Sequence, residues 1–120
     1  MMIRVLIVDD NEAYSEAFVR LLEPQPDVEV VARAGSLAQA REELSGVDVA
    51  LIDRGLPDGD GIELIGELRQ VSPGAGVLML SVTLEHLHPG KALEAGADEV
   101  LDKLASAEEI VSAIHRVAAA

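Results

Sequence analysis

The chain contains no cysteine and no tryptophan, and one tyrosine and one phenylalanine are its only benzene-ring side chains among 120 residues. Without thiols, disulfide bonds and zinc–thiolate sites are excluded. With so few rings the core must be aliphatic, and hydrophobic residues make up 49% of the chain, which is enough to form one. The length predicts one domain, since single domains cluster at roughly 100–150 residues.

Basic residues are also scarce, with 9 Lys and Arg against 22 Asp and Glu and a formal net charge of −13. Nucleic acids and anionic membranes both bind basic surfaces, so neither is an expected partner. A divalent cation would suit this charge. The first long apolar run, residues 5–8, ends at two aspartates and is too short for a signal peptide or a membrane span. We therefore expect a cytoplasmic protein.

Strand-like and helix-like segments alternate along the chain. Short aliphatic runs predict strands, whereas apolar residues at helical spacing and capping patterns predict helices. The predicted strands are 3–8, 28–34, 47–52, 76–80 and 98–102, and the predicted helices are 11–23, 36–44, 61–71, a short one from near Pro89, and 106–116, with a loop at 54–60. This alternation predicts an α/β fold, a doubly wound parallel sheet of five strands with five helices covering both faces.

Polar residues follow the carboxyl ends of these strands, where such folds bind ligands. They are Asp9 and Asp10, Asp53, Ser81 and Lys103. Carboxylates about 5 Å apart repel by roughly 3 kcal/mol per pair at an effective dielectric near 20, which a hard cation such as Mg²⁺ relieves. An aspartate can form an acyl phosphate, and a lysine and a hydroxyl can bind phosphoryl oxygens. The set predicts a phosphoryl-transfer centre, although an acidic pair alone is more often a helix N-cap than a metal site.

Four segments resemble the receiver domain of bacterial two-component response regulators. They are Val-Leu-Ile-Val-Asp-Asp at 5–10, Leu-Ile-Asp at 51–53, Leu-Pro-Asp-Gly-Asp-Gly at 56–61 and Ala-Leu-Glu-Ala-Gly-Ala-Asp at 92–98. The stretch at 26–35 is most similar to receivers of LuxR/NarL-type transcription regulators. The resemblance implies a CheY/flavodoxin-like strand order of 2-1-3-4-5. It also implies that residues 1–120 form one receiver domain, with no output domain in this chain.

The resemblance implies a role for each residue of the set. Asp53 would be the phosphoacceptor, Asp10 would bind Mg²⁺ directly, Asp9 would bind it mostly through water, and the carbonyl of Gly55 would be the third protein ligand. Ser81 and Lys103 occupy the positions of the switch hydroxyl and the lysine that bind the phosphoryl group. Such a domain is not a turnover enzyme, but an acceptor with intrinsic autodephosphorylation.

The resemblance also implies partners. The phosphoryl donor would be a phosphohistidine on a sensor histidine kinase or a phosphotransfer protein, docked beside the first helix. Candidate contacts there are Ala13, Tyr14 and Ala17, although Tyr14 is equally placed to be a half-buried core residue. Phosphorylation would switch the surface of helix four, strand five and helix five, and homodimers could form through that surface or through helices one and five.

The chain departs from the family pattern at several switch and tuning positions. Val82 follows the switch hydroxyl where the family has Ala or Gly, and Val100 stands where the family often has the aromatic residue that turns inward on activation. Gly55 and Thr83 lie where hydrolysis rates are tuned in the family. Leu104 and the Pro-Gly pair at 89–90 depart as well. The usual aromatic lever is therefore missing, and we expect weaker switching.

Three other functions fit parts of the pattern. A phosphatase of the haloacid dehalogenase type needs an acid two residues after its nucleophile, where this chain has Gly55. A flavin-binding module needs a first loop of amide and hydroxyl donors instead of acids. A pseudo-receiver that binds proteins independently of phosphorylation stays open because of Val82 and Val100.

Overall fold

The computed structural model describes residues 2–81 and 89–118. Its centre is a parallel sheet of five strands in the order β2-β1-β3-β4-β5. The strands are β1 (Ile3–Val8), β2 (Val28–Ala34), β3 (Val49–Asp53), β4 (Gly76–Ser81) and β5 (Glu99–Asp102). The predicted doubly wound fold and its strand order are both confirmed.

In the part of the chain that the structure describes, five helices cover the two faces of this sheet. They are α1 (Glu12–Leu22), α2 (Leu37–Ala40), α3 (Glu63–Val71), α4 (Pro89–Glu94) and α5 (Ala107–Ala118). Because side chains alternate along a strand, β1 divides its own between two cores. Val5 and Ile7 pack in a core with α1 and α5, whereas Leu6 and Val8 pack in a core with α2, α3 and α4. Both cores are aliphatic except for one phenylalanine, as the composition indicates.

Two sequence predictions about local structure are wrong. The helix predicted to extend to Leu44 ends at Ala40 and continues as three-residue turns. Two glutamates follow Arg41, and negative charge near a helix C-terminus is unfavourable. The Ser72 hydroxyl also donates to the Leu44 carbonyl at 2.8 Å, so this segment is held to α3 instead of extending a helix.

The segment 54–60, predicted as a loop, contains a two-residue antiparallel ladder. Gly55 pairs with Asp60 and Leu56 pairs with Gly59, around the turn at residues 57 and 58. Gly59 has φ +154°, which side-chain-bearing residues rarely adopt. The turn residues therefore close a small hairpin directly after the phosphoacceptor candidate Asp53.

The register of the parallel strands brings their carboxyl ends to one edge of the sheet. Val8 lies beside Ile52, Asp53 beside Leu80, and Ser81 beside Asp102. The residues that follow β1 and β5 therefore meet the last residues of β3 and β4. Among the helices of residues 2–81 and 89–118, none is both long enough and apolar enough to cross a bilayer.

Candidate functional site

Three carboxylates converge at this edge. Asp9 follows β1, Asp10 follows Asp9, and Asp53 ends β3; one oxygen from each lies within 4.8 Å of the others. The side chains of Asp9 and Asp53 are only 3% and 9% exposed, whereas Asp10 is exposed. Burial raises the pKa of Asp53, since loss of water disfavours the charged carboxylate more than the nearby lysine favours it. Burial therefore outweighs the stabilisation that the Asp53 carboxylate receives from nearby positive charge.

Lys103 supplies a positive charge to this cluster. Its Nζ lies 2.7 Å from Asp9 Oδ2 and 3.3 Å from Asp53 Oδ2, and its side chain is 14% exposed. Burial opposes the ammonium, but the two carboxylates outweigh this effect, so the pKa of Lys103 is raised above its usual range. The lysine is thus a permanent cation that bridges two of the three carboxylates.

The donor set fits a hard divalent cation. Asp9 Oδ1 accepts a hydrogen bond from the Asn11 amide at 2.9 Å, and Asp53 Oδ1 accepts one from the Gly55 amide at 3.2 Å. The buried Asp9 Oδ2 has no hydrogen-bond donor among residues 2–81 and 89–118, even though the lysine ammonium lies within ion-pair distance. Carboxylate oxygens are the ligands that Mg²⁺ takes in proteins.

The remaining predicted site residues are distributed around this cluster. Ser81 is buried at the end of β4, and its carbonyl accepts a hydrogen bond from the Lys103 amide at 2.9 Å, so these two residues are held together. Val100 is half-buried in β5 against the core shared with α2, α3 and α4. Val82 and Thr83 lie outside the described residues.

Tyr14 contacts Lys103, a relationship that the sequence does not reveal. Its hydroxyl donates to the Lys103 carbonyl at 2.8 Å, and Lys103 Nζ lies 4.5 Å from the centre of its ring. Burial, followed by the charges of Asp9, Asp53 and Asp102, raises the pKa of Tyr14 to about 12. The two residues are 89 positions apart, so no local pattern could have paired them.

Of the three residues on α1 that were predicted to contact a partner, two line a common groove. Tyr14 and Ala17 line a shallow groove between α1 and the start of α5, together with apolar residues such as Ile110. Ala13 is exposed on α1 but does not line this groove. The structure therefore brings together two of the three predicted contact residues.

Gly61 is a further residue of the site that sequence reasoning missed. A Cβ atom there would lie 2.2 Å from the Asp53 carbonyl oxygen and 2.7 Å from Ile52 Cγ2. Only glycine permits this approach of the hairpin to the end of β3. The glycines at 59 and 61, within the segment that resembles the receiver family, were the available signal, but Gly61 was predicted only as the start of a helix.

Asp58, which lies in the predicted loop at 54–60, caps a helix that is distant in the sequence. Its carboxylate accepts hydrogen bonds from the amides of Leu37 and Ala38 at 2.8 and 3.1 Å, and these two bonds lower its pKa. The hairpin after Asp53 is thereby joined to the start of α2. The hairpin is thus fixed at two places, against the end of β3 at Gly61 and against the start of α2 at Asp58.

A doubly wound parallel sheet with an acidic cluster and a largely buried lysine at its carboxyl edge defines a class of α/β domain with a candidate cation site. The particular family follows from comparison with known proteins. The family model described as "Response regulator receiver domain" matches residues 5–115. The chain belongs to this family.

Relatives of known function support the same assignment. The chain is 38% identical over 119 residues to transcriptional regulatory protein UhpA of Escherichia coli, covering 98% of this chain and 59% of the relative. It is 35% identical over 120 residues to the DNA-binding transcriptional activator DevR/DosR of Mycobacterium tuberculosis, covering 98% and 55%. The chain thus spans little more than half the length of these relatives.

Solved structures agree. The receiver domain of the response regulator NarL from Mycobacterium tuberculosis superposes with a TM-score of 0.87 at 33% identity, covering 98% of this chain and 97% of that one. A LuxR-family response regulator from Aurantimonas superposes with a TM-score of 0.84 at 31% identity, covering 99% and 86%. The resemblance to LuxR/NarL-type receivers is confirmed. The chain is a signalling domain of the two-component type, in a family that accepts phosphoryl groups from histidine kinases and binds Mg²⁺ at an acidic pocket.

Proposed function

We propose that Asp53 accepts a phosphoryl group from a phosphohistidine on a sensor histidine kinase or a phosphotransfer protein. The supporting observation is the position of Lys103 Nζ between Asp9 and Asp53, at the edge where Asp10 completes the acidic cluster. Asp9, Asp10, Asp53 and the carbonyl of Gly55 would hold Mg²⁺. When bound, the metal ion would neutralise charge on the phosphoryl oxygens.

The transfer is a substitution at phosphorus. A carboxylate oxygen of Asp53 forms a bond to phosphorus as the phosphorus–nitrogen bond breaks, and the electron pair of that bond stays on the departing imidazole. Lys103 then pairs with the phosphoryl oxygens, and the hydroxyl of Ser81 donates to them. Because the lysine already lies 3.3 Å from Asp53 Oδ2, this rearrangement requires only a small movement.

The acyl phosphate would switch the surface formed by α4, β5 and α5. Phosphorylation adds about half to one unit of negative charge, because a phosphate carries about −1.5 to −2 and replaces one carboxylate. Moving a two-state surface from 1:99 to 99:1 needs about 5.5 kcal/mol. We expect a smaller shift here because Val100 replaces the aromatic lever. An increase above about a thousandfold in partner or dimer affinity on phosphorylation would contradict this part of the proposal.

We further propose that residues 1–120 form one receiver domain, which acts in the cytoplasm and controls transcription. Its longer relatives include a protein named as a DNA-binding transcriptional activator. With its net charge of −13, this domain would act on DNA only through another domain or partner. A homodimer formed through α4, β5 and α5, or through α1 and α5, is the proposed means of output.

Intact-protein mass spectrometry after incubation with acetyl phosphate tests the central step. We expect the gain of one phosphoryl group with Mg²⁺ and no gain in EDTA or in the Asp53→Ala variant. Asp48→Ala is the matched control. Asp48 precedes β3, at the end of the strand opposite to Asp53, and its carboxylate accepts a hydrogen bond from the Arg4 amide. This control should be phosphorylated at the wild-type rate.

The alternative function is that of a pseudo-receiver, which binds proteins independently of phosphorylation. Lys103 already pairs with two of the three carboxylates, so the site is partly neutralised before any metal binds. If the wild-type protein binds Mg²⁺ but gains no phosphoryl group, the alternative is supported and Asp53 phosphorylation is refuted.

A further inference from the structure

We infer that Tyr14 is a positioning residue for Lys103 in phosphoryl transfer, an inference that rests on the proposed function of Asp53. Two contacts join the residues at different points. The tyrosine hydroxyl donates to the lysine's own carbonyl at 2.8 Å, which holds the backbone after β5. The face of the ring lies 4.5 Å from the lysine Nζ, which holds the charged end of the side chain.

Tyr14 is itself rigidly placed by the loop that carries the acidic pair. Asn11 caps α1 by accepting a hydrogen bond from the Tyr14 amide at 3.0 Å, and its own amide donates to Asp9 Oδ1 at 2.9 Å. Phe18, one turn further along α1, holds the tyrosine ring edge-to-face, with 4.9 Å between the ring centres. One turn therefore sets the positions of both a metal-ligand candidate and the ring beside the lysine.

The lysine side chain needs such a guide, although the backbone after β5 is held in place. The Lys103 amide donates to the Ser81 carbonyl and the Leu104 amide donates to Asp102 Oδ1 at 2.7 Å, but neither bond restrains Nζ. During the proposed reaction Nζ must leave Asp9 and turn towards the phosphoryl oxygens. A ring attracts an ammonium without neutralising it, so it can keep the lysine at the site while its carboxylate partners change.

The test compares two substitutions of Tyr14 with a packing control on the same helix. Tyr14→Phe removes the hydroxyl and keeps the ring, and Tyr14→Leu removes both contacts. Leu22→Ala removes a buried side chain from the core of α1 and α5 and leaves both rings in place. The initial rate of phosphoryl gain from acetyl phosphate is followed by intact-protein mass spectrometry at saturating Mg²⁺, with the Mg²⁺ Kd from calorimetry and Tm from circular dichroism.

We expect Tyr14→Phe to slow phosphorylation about threefold and Tyr14→Leu about tenfold, with the Mg²⁺ Kd within about twofold of wild type. Leu22→Ala should lower Tm at least as much and keep the wild-type rate below its unfolding transition. A second readout uses the wild-type chain, whose only tyrosine is Tyr14 and which has no tryptophan. Its tyrosine fluorescence should change on addition of beryllofluoride with Mg²⁺, and should not change in Asp53→Asn.

The outcomes separate the inference from the proposed function. If the wild type gains a phosphoryl group but Tyr14→Leu reacts at the same rate, the positioning role is refuted and the role of Asp53 stands. Equal slowing by Leu22→Ala would also refute it, because packing alone would then explain the effect. If Tyr14→Leu fails to fold, the rate of Tyr14→Phe decides. If the wild type gains no phosphoryl group, the proposed function itself fails.

Discussion

Replacing Lys103 by methionine should destabilise the metal-free domain and make it depend on Mg²⁺. The ammonium lies 2.7 Å from Asp9 Oδ2 and 3.3 Å from Asp53 Oδ2. At an effective dielectric near 20 these distances correspond to about 6 and about 5 kcal/mol of attraction, before the cost of desolvating the charges. Removing one partner of a buried ion pair costs about 3–5 kcal/mol, because the remaining charges stay buried and unpaired. With 14% of the lysine side chain exposed, we expect a loss of about 3 kcal/mol in the free energy of unfolding.

Mg²⁺ should restore most of this loss. The metal ion and the ammonium neutralise the same two carboxylates, so Lys103→Met should bind Mg²⁺ more tightly than the wild type does. A ligand at one hundred times its Kd stabilises the folded state by about 2.7 kcal/mol. The variant should therefore approach wild-type stability in Mg²⁺, whereas the wild type itself should gain less.

Urea unfolding followed by circular dichroism, in EDTA and in Mg²⁺, measures both effects. Lys91→Met is the matched control, because Lys91 is the only other lysine and is exposed on α4. It makes the same change in charge away from the cluster and should leave both curves near those of the wild type. If Lys103→Met in EDTA is as stable as the wild type, or gains no more from Mg²⁺, the lysine does not neutralise the acidic cluster.

Two further predictions concern the fold around the site. Gly61→Ala should lower the free energy of unfolding by about 1–3 kcal/mol, because the added methyl overlaps the Asp53 carbonyl, which lies 2.2 Å away. Gly66→Ala on α3, where an added Cβ meets nothing within 4 Å, should instead raise it by about 1 kcal/mol; urea curves that show equal effects would refute the steric argument. The hydrogen bond from His115 lowers the pKa of Asp27 from its ordinary 3.8, so this carboxylate stabilises the fold above that pH and loses its contribution as the pH falls through the lowered value. His115→Ala should therefore flatten the acid limb of a Tm-against-pH curve, and an unchanged limb would show that the pair contributes nothing.

Much of the fold could be predicted because its information is local. The aliphatic runs that became β1 and β4 were bounded to within one residue, since a strand buried on both faces is an almost continuous apolar run ended by polar or turn residues. The partly exposed edge strand β2 was bounded as well, because Pro-Asp precedes it and Gly-Ser follows it. The end of the second helix was predicted four residues too late, because capping patterns mark where a helix begins more clearly than where it ends. The contact that holds Leu44 to Ser72 lies beyond any local window.

The residues that form the site could be predicted from the sequence for a related reason, whereas the contacts between them could not. Once parallel strands are inferred, their carboxyl ends must share an edge, so Asp9, Asp53 and Lys103 could be placed together from their positions after strands. Which of them pair depends on side-chain directions that emerge only when the sheet twists and the helices pack. The cap that Asp58 forms on α2 and the approach of Gly61 to Asp53 were decided in the same way.

The alternation of apolar segments with turn residues determined the class of fold, the order of its elements and the edge at which acidic and basic residues collect, because each depends on periodicity and chain connectivity alone. The tertiary structure decided that Lys103 bridges Asp9 and Asp53 and that Tyr14 lies against it. These contacts join β1, β3, β5 and α1, and their distances depend on how the elements pack in three dimensions. No spacing along the chain contains that information.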